Sequence, residues 1–151
     1  MPKAYPKLNF PSIKLRAQRS ADGRSLMVWS APRNCYLLLT PEEWVRRHLV
    51  EYLTTHFAIA TPQIIEEYPI PLNGQPQRAD VVVVSGSTPI ILVECKAPDV
   101  KITRHTLDQA ARYNSVLGAK YIILTNGITH LCFEFSDGKY LALKEFPDKF
   151  L

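Results

Sequence analysis

Two stretches interrupt the mixed polar and apolar texture of the chain: Ala79–Ser85 (ADVVVVS) and Pro89–Lys96 (PIILVECK). Near-continuous apolar runs of this length mark strands covered on both faces, so they predict two central strands joined around Gly86. Lys120–Thr125 (KYIILT) reads as a third buried strand. Elsewhere the period is helical. Trp44, Val45, Leu49, Tyr52, Leu53 and Phe57 recur at helix spacing, behind Thr40 as N-cap, Pro41 at the first helical position and Glu43 as capping-box partner. That helix is expected to end near His56. A second is predicted over Arg104–Leu117, capped by Thr103 or Thr106 and stopped by Gly118.

The remaining segments fill in around these. Ile64–Leu72 predicts a strand interrupted by Pro69 and Pro71 and followed by a turn at Asn73-Gly74, and Thr129–Phe135 and Tyr140–Lys144 predict two more strands after turns at Asn126-Gly127 and Asp137-Gly138. Ahead of the first helix, Ile13–Ala17 and Ser25–Ser30 form a hairpin around Ser20–Gly23, Asn34–Leu39 is extended, and residues 1–10, with Pro2 and Pro6, form an extended arm. The order predicts an α/β fold with a central mixed β-sheet flanked by helices, plus an extra N-terminal β-hairpin. The 151 residues suit one domain, with an arm at 1–10, a β extension at 11–39 and a core at 40–151.

Composition changes this picture little. Hydrophobic residues make up 46% and charged residues 21%, which excludes bulk disorder. The net charge of +4 favours a polyanionic partner without demanding one. Cys35, Cys95 and Cys132 are odd in number and contain no C-x-x-C pair, so they suggest neither a disulfide framework nor a zinc knuckle. The four histidines lack ligand spacing, and no G-x-S-x-G elbow is present. The start of the chain has no apolar signal core, and the longest apolar runs fall far short of a bilayer span. A cytoplasmic protein without a membrane partner is expected.

Three charged groups inside the apolar sheet carry the candidate chemistry. If Ser85 and Pro89 close the hairpin, paired residue numbers sum to 174 and Asp80 faces Glu94. Lys96, two residues beyond Glu94, projects from the same face. Opposed carboxylates repel, and burial raises the cost. A hard cation such as Mg²⁺ relieves it, lowers the pKa of a bound water and polarises a phosphoryl oxygen. A neighbouring ammonium stabilises charge growing on the phosphate. The alternative is that the acids mark strand ends and Lys96 is a solvated surface group.

Arg78-Ala79-Asp80-Val81-Val82 followed by Leu92-Val93-Glu94-Cys95-Lys96-Ala97-Pro98 resembles the PD-(D/E)xK nuclease signature. With Leu39–Arg46 on the first helix, Asp108–Asn114 on the second and Leu124–Gly127 after the third buried strand, nearly the whole chain is similar to the N-terminal nuclease domain of type I restriction enzyme R subunits, in the compact stand-alone form found in Bacteroidetes. The resemblance implies a restriction-endonuclease-like core and Mg²⁺-dependent hydrolysis of DNA phosphodiesters, with Mn²⁺ as a substitute metal. It assigns Asp80, Glu94 and the Cys95 carbonyl to the metal and Lys96 to the attacking water. An acid from the first helix completes the site, and Glu43 matches best, although Glu43 also suits capping or pairing with Arg47 at i+4.

Gln109 and Tyr113 match the Q-x-x-x-Y motif of relatives with this fold. Structurally, the glutamine could instead serve Thr106 and the tyrosine pack on the sheet. Arg78, Arg104 and Arg112 are candidate phosphate contacts, or simply solvated surface. Two departures stand out: Ala79 replaces the signature proline, and the chain has neither a G-x-x-x-x-G-K-[ST] loop nor room for a motor domain. The resemblance therefore implies DNA as partner, no nucleotide cofactor, and either unassisted cutting, as a homodimer with two sites, or dependence on separate motor and specificity subunits. A binding module that keeps the fold without cutting is the reading from another class.

Overall fold

A computed structural model describes residues 5–151. Residues 1–4 of the expected arm lie outside the described residues. Beyond them the chain runs without regular structure, but it is not loose. Leu8 is buried, Asn9 N–H donates to Gly127 O at 2.7 Å, and the Trp44 indole donates to Pro6 O at 2.9 Å. Gly127 has φ 86°, and a Cβ there would lie 2.6 Å from Leu8 Cδ2, so glycine is required for both backbone and space.

A small antiparallel sheet follows: β1 (Ala17–Arg19), β2 (Leu26–Ser30) and β3 (Cys35–Leu38), in that order. It has three strands rather than the expected hairpin, because the extended piece before the first helix pairs with β2. The first strand is also displaced from the expected Ile13–Ala17. Trp29 N–H donates to Arg16 O, after which β2 ends at Ser30 and leaves Ile13–Leu15 with no strand to pair with.

α1 spans Pro41–His56. Thr40 Oγ1 accepts from Glu43 N–H at 3.1 Å, which is half of the expected capping box. The other half is absent because the Glu43 carboxylate is held by arginines. After a 3₁₀ turn at Thr61–Gln63 come β4 (Ile64–Leu72), β5 (Gln75–Ser85), β6 (Thr88–Cys95), α2 (Arg104–Leu117), β7 (Tyr121–Thr125), β8 (His130–Ser136) and β9 (Lys139–Leu143). The six strands form one sheet in sequence order, with β6 and β7 parallel across the α2 crossover and all other pairs antiparallel. α2 stops at Gly118, whose φ of 67° suits the left-handed C-cap.

The apolar runs are divided between two cores. Val81, Val83, Ile91, Val93 and Ile123 meet Val45, Leu49 and Leu53 of α1. Val82, Val84, Leu92, Ile122 and Leu124 meet Ala110 and Tyr113 of α2. Each central strand is thus buried on both faces, as its composition predicts.

Two irregularities in this sheet set the site. Ser85 pairs with Thr88, not Pro89, yet Val81 pairs with Val93, because Ile90 is an extra residue on β6 between the pairs Val84–Pro89 and Val83–Ile91. The bulge restores the register sum of 174 toward Asp80. The second lies in the β4–β5 ladder, where Glu66 pairs with Val81 and Tyr68 with Ala79, while the intervening Glu67 and Asp80 are unpaired. Ile64 and Val81 belong to the α1-side core, whereas Tyr68, Ile70 and Ala79 belong to the α2-side core. The ribbon therefore turns over at this step, with Glu67 at φ 54°. Positive φ in a non-glycine strand residue costs on the order of 1–3 kcal/mol and persists only where the surroundings enforce it.

Candidate metal and phosphoester site

The turnover frees Asp80 from its strand. Lys96 N–H bonds Thr125 O on the β7 side, so the preceding amide, that of Cys95, points toward β5. There it meets Asp80 Oδ2 at 2.7 Å. The carboxylate is thereby fixed at the end of β6, beside Glu94, whose carboxyl it perturbs.

A cleft of about 200 Å³ opens at this point, lined by Thr40, Glu42, Glu43, Arg46, Glu67, Asp80 and Cys95. Its electrostatics are those of crowded acids. Burial pushes the Asp80 carboxyl up despite the Cys95 amide, and burial together with the Asp80 charge pushes Glu94 up to about 9. Glu42 is also raised, first by burial and then by Asp80, while the Lys96 charge lowers both Glu42 and Glu94. Glu94 Oε1 is buried without a hydrogen-bond partner among the described residues. Two ionised carboxylates cannot bond each other, and a shared proton or a cation would satisfy this atom.

The donor set suits a hard cation of low coordination demand from the protein. Two carboxylate side chains and a carbonyl are the kind of set Mg²⁺ accepts, keeping waters elsewhere. Among the described residues no group of three or more His, Cys, Asp or Glu side chains is arranged to hold a metal. Burial pushes the Cys95 thiol well above its ordinary value, so this side chain stays protonated and only its carbonyl is a candidate ligand.

Beside the unsatisfied pair lies a satisfied one. Glu43 binds Arg46 and, at 2.8 Å, Arg47 Nε. Burial alone would raise its carboxyl, but the two arginines hold it below the usual range. Arg47 also binds Glu66, which accepts from Ser30 Oγ at 2.9 Å. Arg46 continues to Glu67 at 2.8 Å and contacts Asp80 O at 3.4 Å. Of the two acids in the first turn of α1, Glu43 is thus held in ion pairs, and Glu42 is the one coupled to the charges of Asp80 and Lys96. Sequence reasoning passed over Glu42, and the only available signal was its position one residue before the Glu that also suits capping.

The other expected residues lie further out. Gln109 Nε2 donates to Tyr113 Oη at 2.9 Å, and Tyr113 Oη donates to Gln77 Oε1 at 3.0 Å, so this pair is tied to β5; it does not line the cleft, and neither do Glu94 and Lys96. Arg78 and Arg112 are exposed, and Arg104 is exposed and paired with Asp108 at 3.0 Å.

Comparison with known proteins places this arrangement. Residues 41–147 match the family described as "Type I restriction enzyme R protein N terminus (HSDR_N)". The chain belongs to this family. The matched range holds the whole cleft except Thr40, together with α2 and all six strands of the large sheet. The chain is also similar in fold to a fragment structure described as an HsdR subunit of a type I restriction enzyme from Vibrio vulnificus YJ016, at a TM-score of 0.56 and 24% identity. The match covers 72% of this chain and 24% of that one, so the chain spans about a quarter of the protein it matches. No curated protein shows a significant sequence match. Among the described residues no helix is long and apolar enough to cross a membrane.

Proposed function

We propose that this chain is a Mg²⁺-dependent deoxyribonuclease domain of restriction type, hydrolysing phosphodiester bonds at the Asp80–Glu94–Lys96 cluster. The observation that carries the reading is the pairing of half-buried Asp80 with buried Glu94, whose Oε1 is unpartnered, two residues from a lysine. Asp80, Glu94 and the Cys95 carbonyl would hold the ion. When bound, it activates water and polarises the phosphoryl group. Lys96 orients the attacking water and stabilises negative charge on the phosphate oxygens. Glu42 lines the same cleft and is the α1 acid that would take up a proton there. The Cys95 amide holds Asp80 in place, and Arg46 bonds the Asp80 carbonyl and Glu67 to keep the turned ribbon set.

DNA is the substrate on this reading, and Mn²⁺ substitutes for Mg²⁺. The quarter-length match to an HsdR chain favours a second arrangement, in which the domain cuts only beside restriction motor and specificity subunits. The test is incubation with supercoiled, linear and single-stranded DNA in Mg²⁺, Mn²⁺ or EDTA, alongside Lys96→Ala. Metal-dependent cutting lost on the order of 10²–10³-fold in the variant supports the reading. Identical behaviour of the two proteins under every condition defeats the autonomous enzyme, and cutting that appears only with added partner subunits selects the second arrangement.

A further inference from the structure

The charge of this chain is segregated. Residues 1–39 contain seven lysines and arginines against one acid, Asp22, a net of +6, while residues 40–151 contain eleven against thirteen, a net of −2. All of the positive excess therefore precedes α1. A core that is itself net negative, with a cleft of crowded carboxylates, repels a polyanion. Something else must hold the substrate.

The small sheet has the form for this. Register places Trp29 opposite Tyr36 and Met27 opposite Leu38 on its outer face, with Val28 and Ser30 buried on the inner one. Arg16 lies across the outer face, its guanidinium 4.2 Å from the Trp29 ring centre and its Nε donating to Tyr36 Oη at 3.0 Å. Arg19 and Arg24 are exposed at one end of β2, and Lys14 and Arg33 at the other. Among the described residues none of these four is in an ion pair. Strand rise puts the two ends roughly 20 Å apart, which matches several phosphates along a duplex.

The sheet is also fastened to the cleft. Leu39 N–H bonds Leu26 O, and the next residue, Thr40, lines the cleft. At the opposite end Arg33 N–H donates to Ser30 Oγ, which donates to Glu66, the neighbour of cleft residue Glu67. A duplex lying on the outer arginines would thus be held beside Asp80 and Glu94.

We infer that the β1–β3 sheet, through Arg19, Arg24 and Arg33 around the Arg16–Trp29–Tyr36 stack, is the surface that grips the DNA backbone for the nuclease site, an inference that rests on the proposed nuclease reading. The contact is to phosphates, independent of sequence, and steep in its salt dependence.

The experiment measures binding of a 30-base-pair duplex in EDTA across a salt series, with cutting measured separately in Mg²⁺. The proteins are wild type, Lys96→Ala, a triple variant Arg19→Ala/Arg24→Ala/Arg33→Ala, and a control triple Lys120→Ala/Lys139→Ala/Lys149→Ala that removes the same charge from the core. Unchanged thermal unfolding is the fold control for both triples. The arginine triple is expected to bind on the order of a hundredfold more weakly at low salt, with a log–log salt slope shallower by about 2.7, at about 0.9 for each lost phosphate contact. Lys96→Ala is expected to lose cutting, and the lysine triple is expected to bind as wild type does. An arginine triple that keeps the wild-type slope overturns the surface assignment and leaves the nuclease standing. An equal loss in the lysine triple also overturns it, since net charge alone then suffices. A change of sedimentation in the arginine triple with DNA binding intact reassigns the sheet to self-association and overturns it as well. Lost binding in the arginine triple with no cutting by wild type supports the surface while the nuclease reading fails, and no DNA binding by wild type overturns both.

Discussion

Two buried charge clusters adjoin at the N-terminus of α1, and they are resolved in opposite ways. In the first, Glu43, Arg46, Arg47 and Glu66 pair with one another, and Ser30 completes the set. In the second, Asp80 and Glu94 face each other with a single amide between them and one oxygen without a partner. Burial of charge costs free energy in both, but only the first is offset within the chain. The difference separates a structural network from a site. A cluster that satisfies itself holds the fold, and a cluster left short of positive charge is shaped for something that arrives.

The comparison can be broken most forcefully through activity. Glu94→Gln is expected to abolish cutting, by at least the order of 10²–10³-fold, while leaving thermal stability equal or higher, because it replaces a carboxyl whose ionised form burial and Asp80 disfavour with a neutral amide. A variant that unfolds readily would place Glu94 in the structural class instead. Arg47→Met makes the opposite case. It leaves Glu43 and Glu66 short of a buried partner and is expected to cost about 3–5 kcal/mol in denaturant unfolding, with no recovery on adding Mg²⁺.

A subtler separation comes from pH. Glu94 titrates at about 9 in the fold against its ordinary 4.5, so the folded protein holds a proton that the unfolded chain releases. The stabilisation from this group is complete below about pH 4.5 and falls as pH rises toward 9. Unfolding midpoints in EDTA should decline over that window, and Mg²⁺ should flatten the decline by favouring the ionised form. Glu94→Gln should remove the slope, and the same slope in that variant would refute the assignment. The smallest expected effect is at the turnover itself. Glu67→Gly relieves a left-handed residue but loses an ion pair to Arg46, so stability should change by less than about 1 kcal/mol, whereas Glu67→Val adds β-branched strain and should cost more.

Much of the scaffold could be read from the residues. The runs VVVV and IILV belong to strands covered on both faces, and Thr40-Pro41 and Gly118 bound the helices they were expected to bound. The facing of Asp80 and Glu94 followed from a register that the structure reaches by another route, a shorter turn plus a bulge. What stayed hidden depends on distant partners. The choice between Glu42 and Glu43 is made by where Arg46 and Arg47 find Glu66 and Glu67, some twenty residues on. Tyr113 meets Gln77 across 36 residues. The reversal at Glu67 is a property of two strands together, and neither strand's own pattern contains it.

The extra residue at Ile90 acts as a phase shifter between the hairpin tip and the carboxylates. On one side of it the count runs one way, on the other it is a step ahead, and the acids coincide only because of that step. Deleting Ile90 would leave a regular ladder with the same pairs, Val83 with Ile91 and Val81 with Val93, whereas pairing Ile90 in place of the bulge would slip β6 by one residue and send Glu94 to the opposite side of the sheet. The site therefore depends on the extra residue being taken up as a bulge, and the length of the hairpin alone does not set which side the acids share.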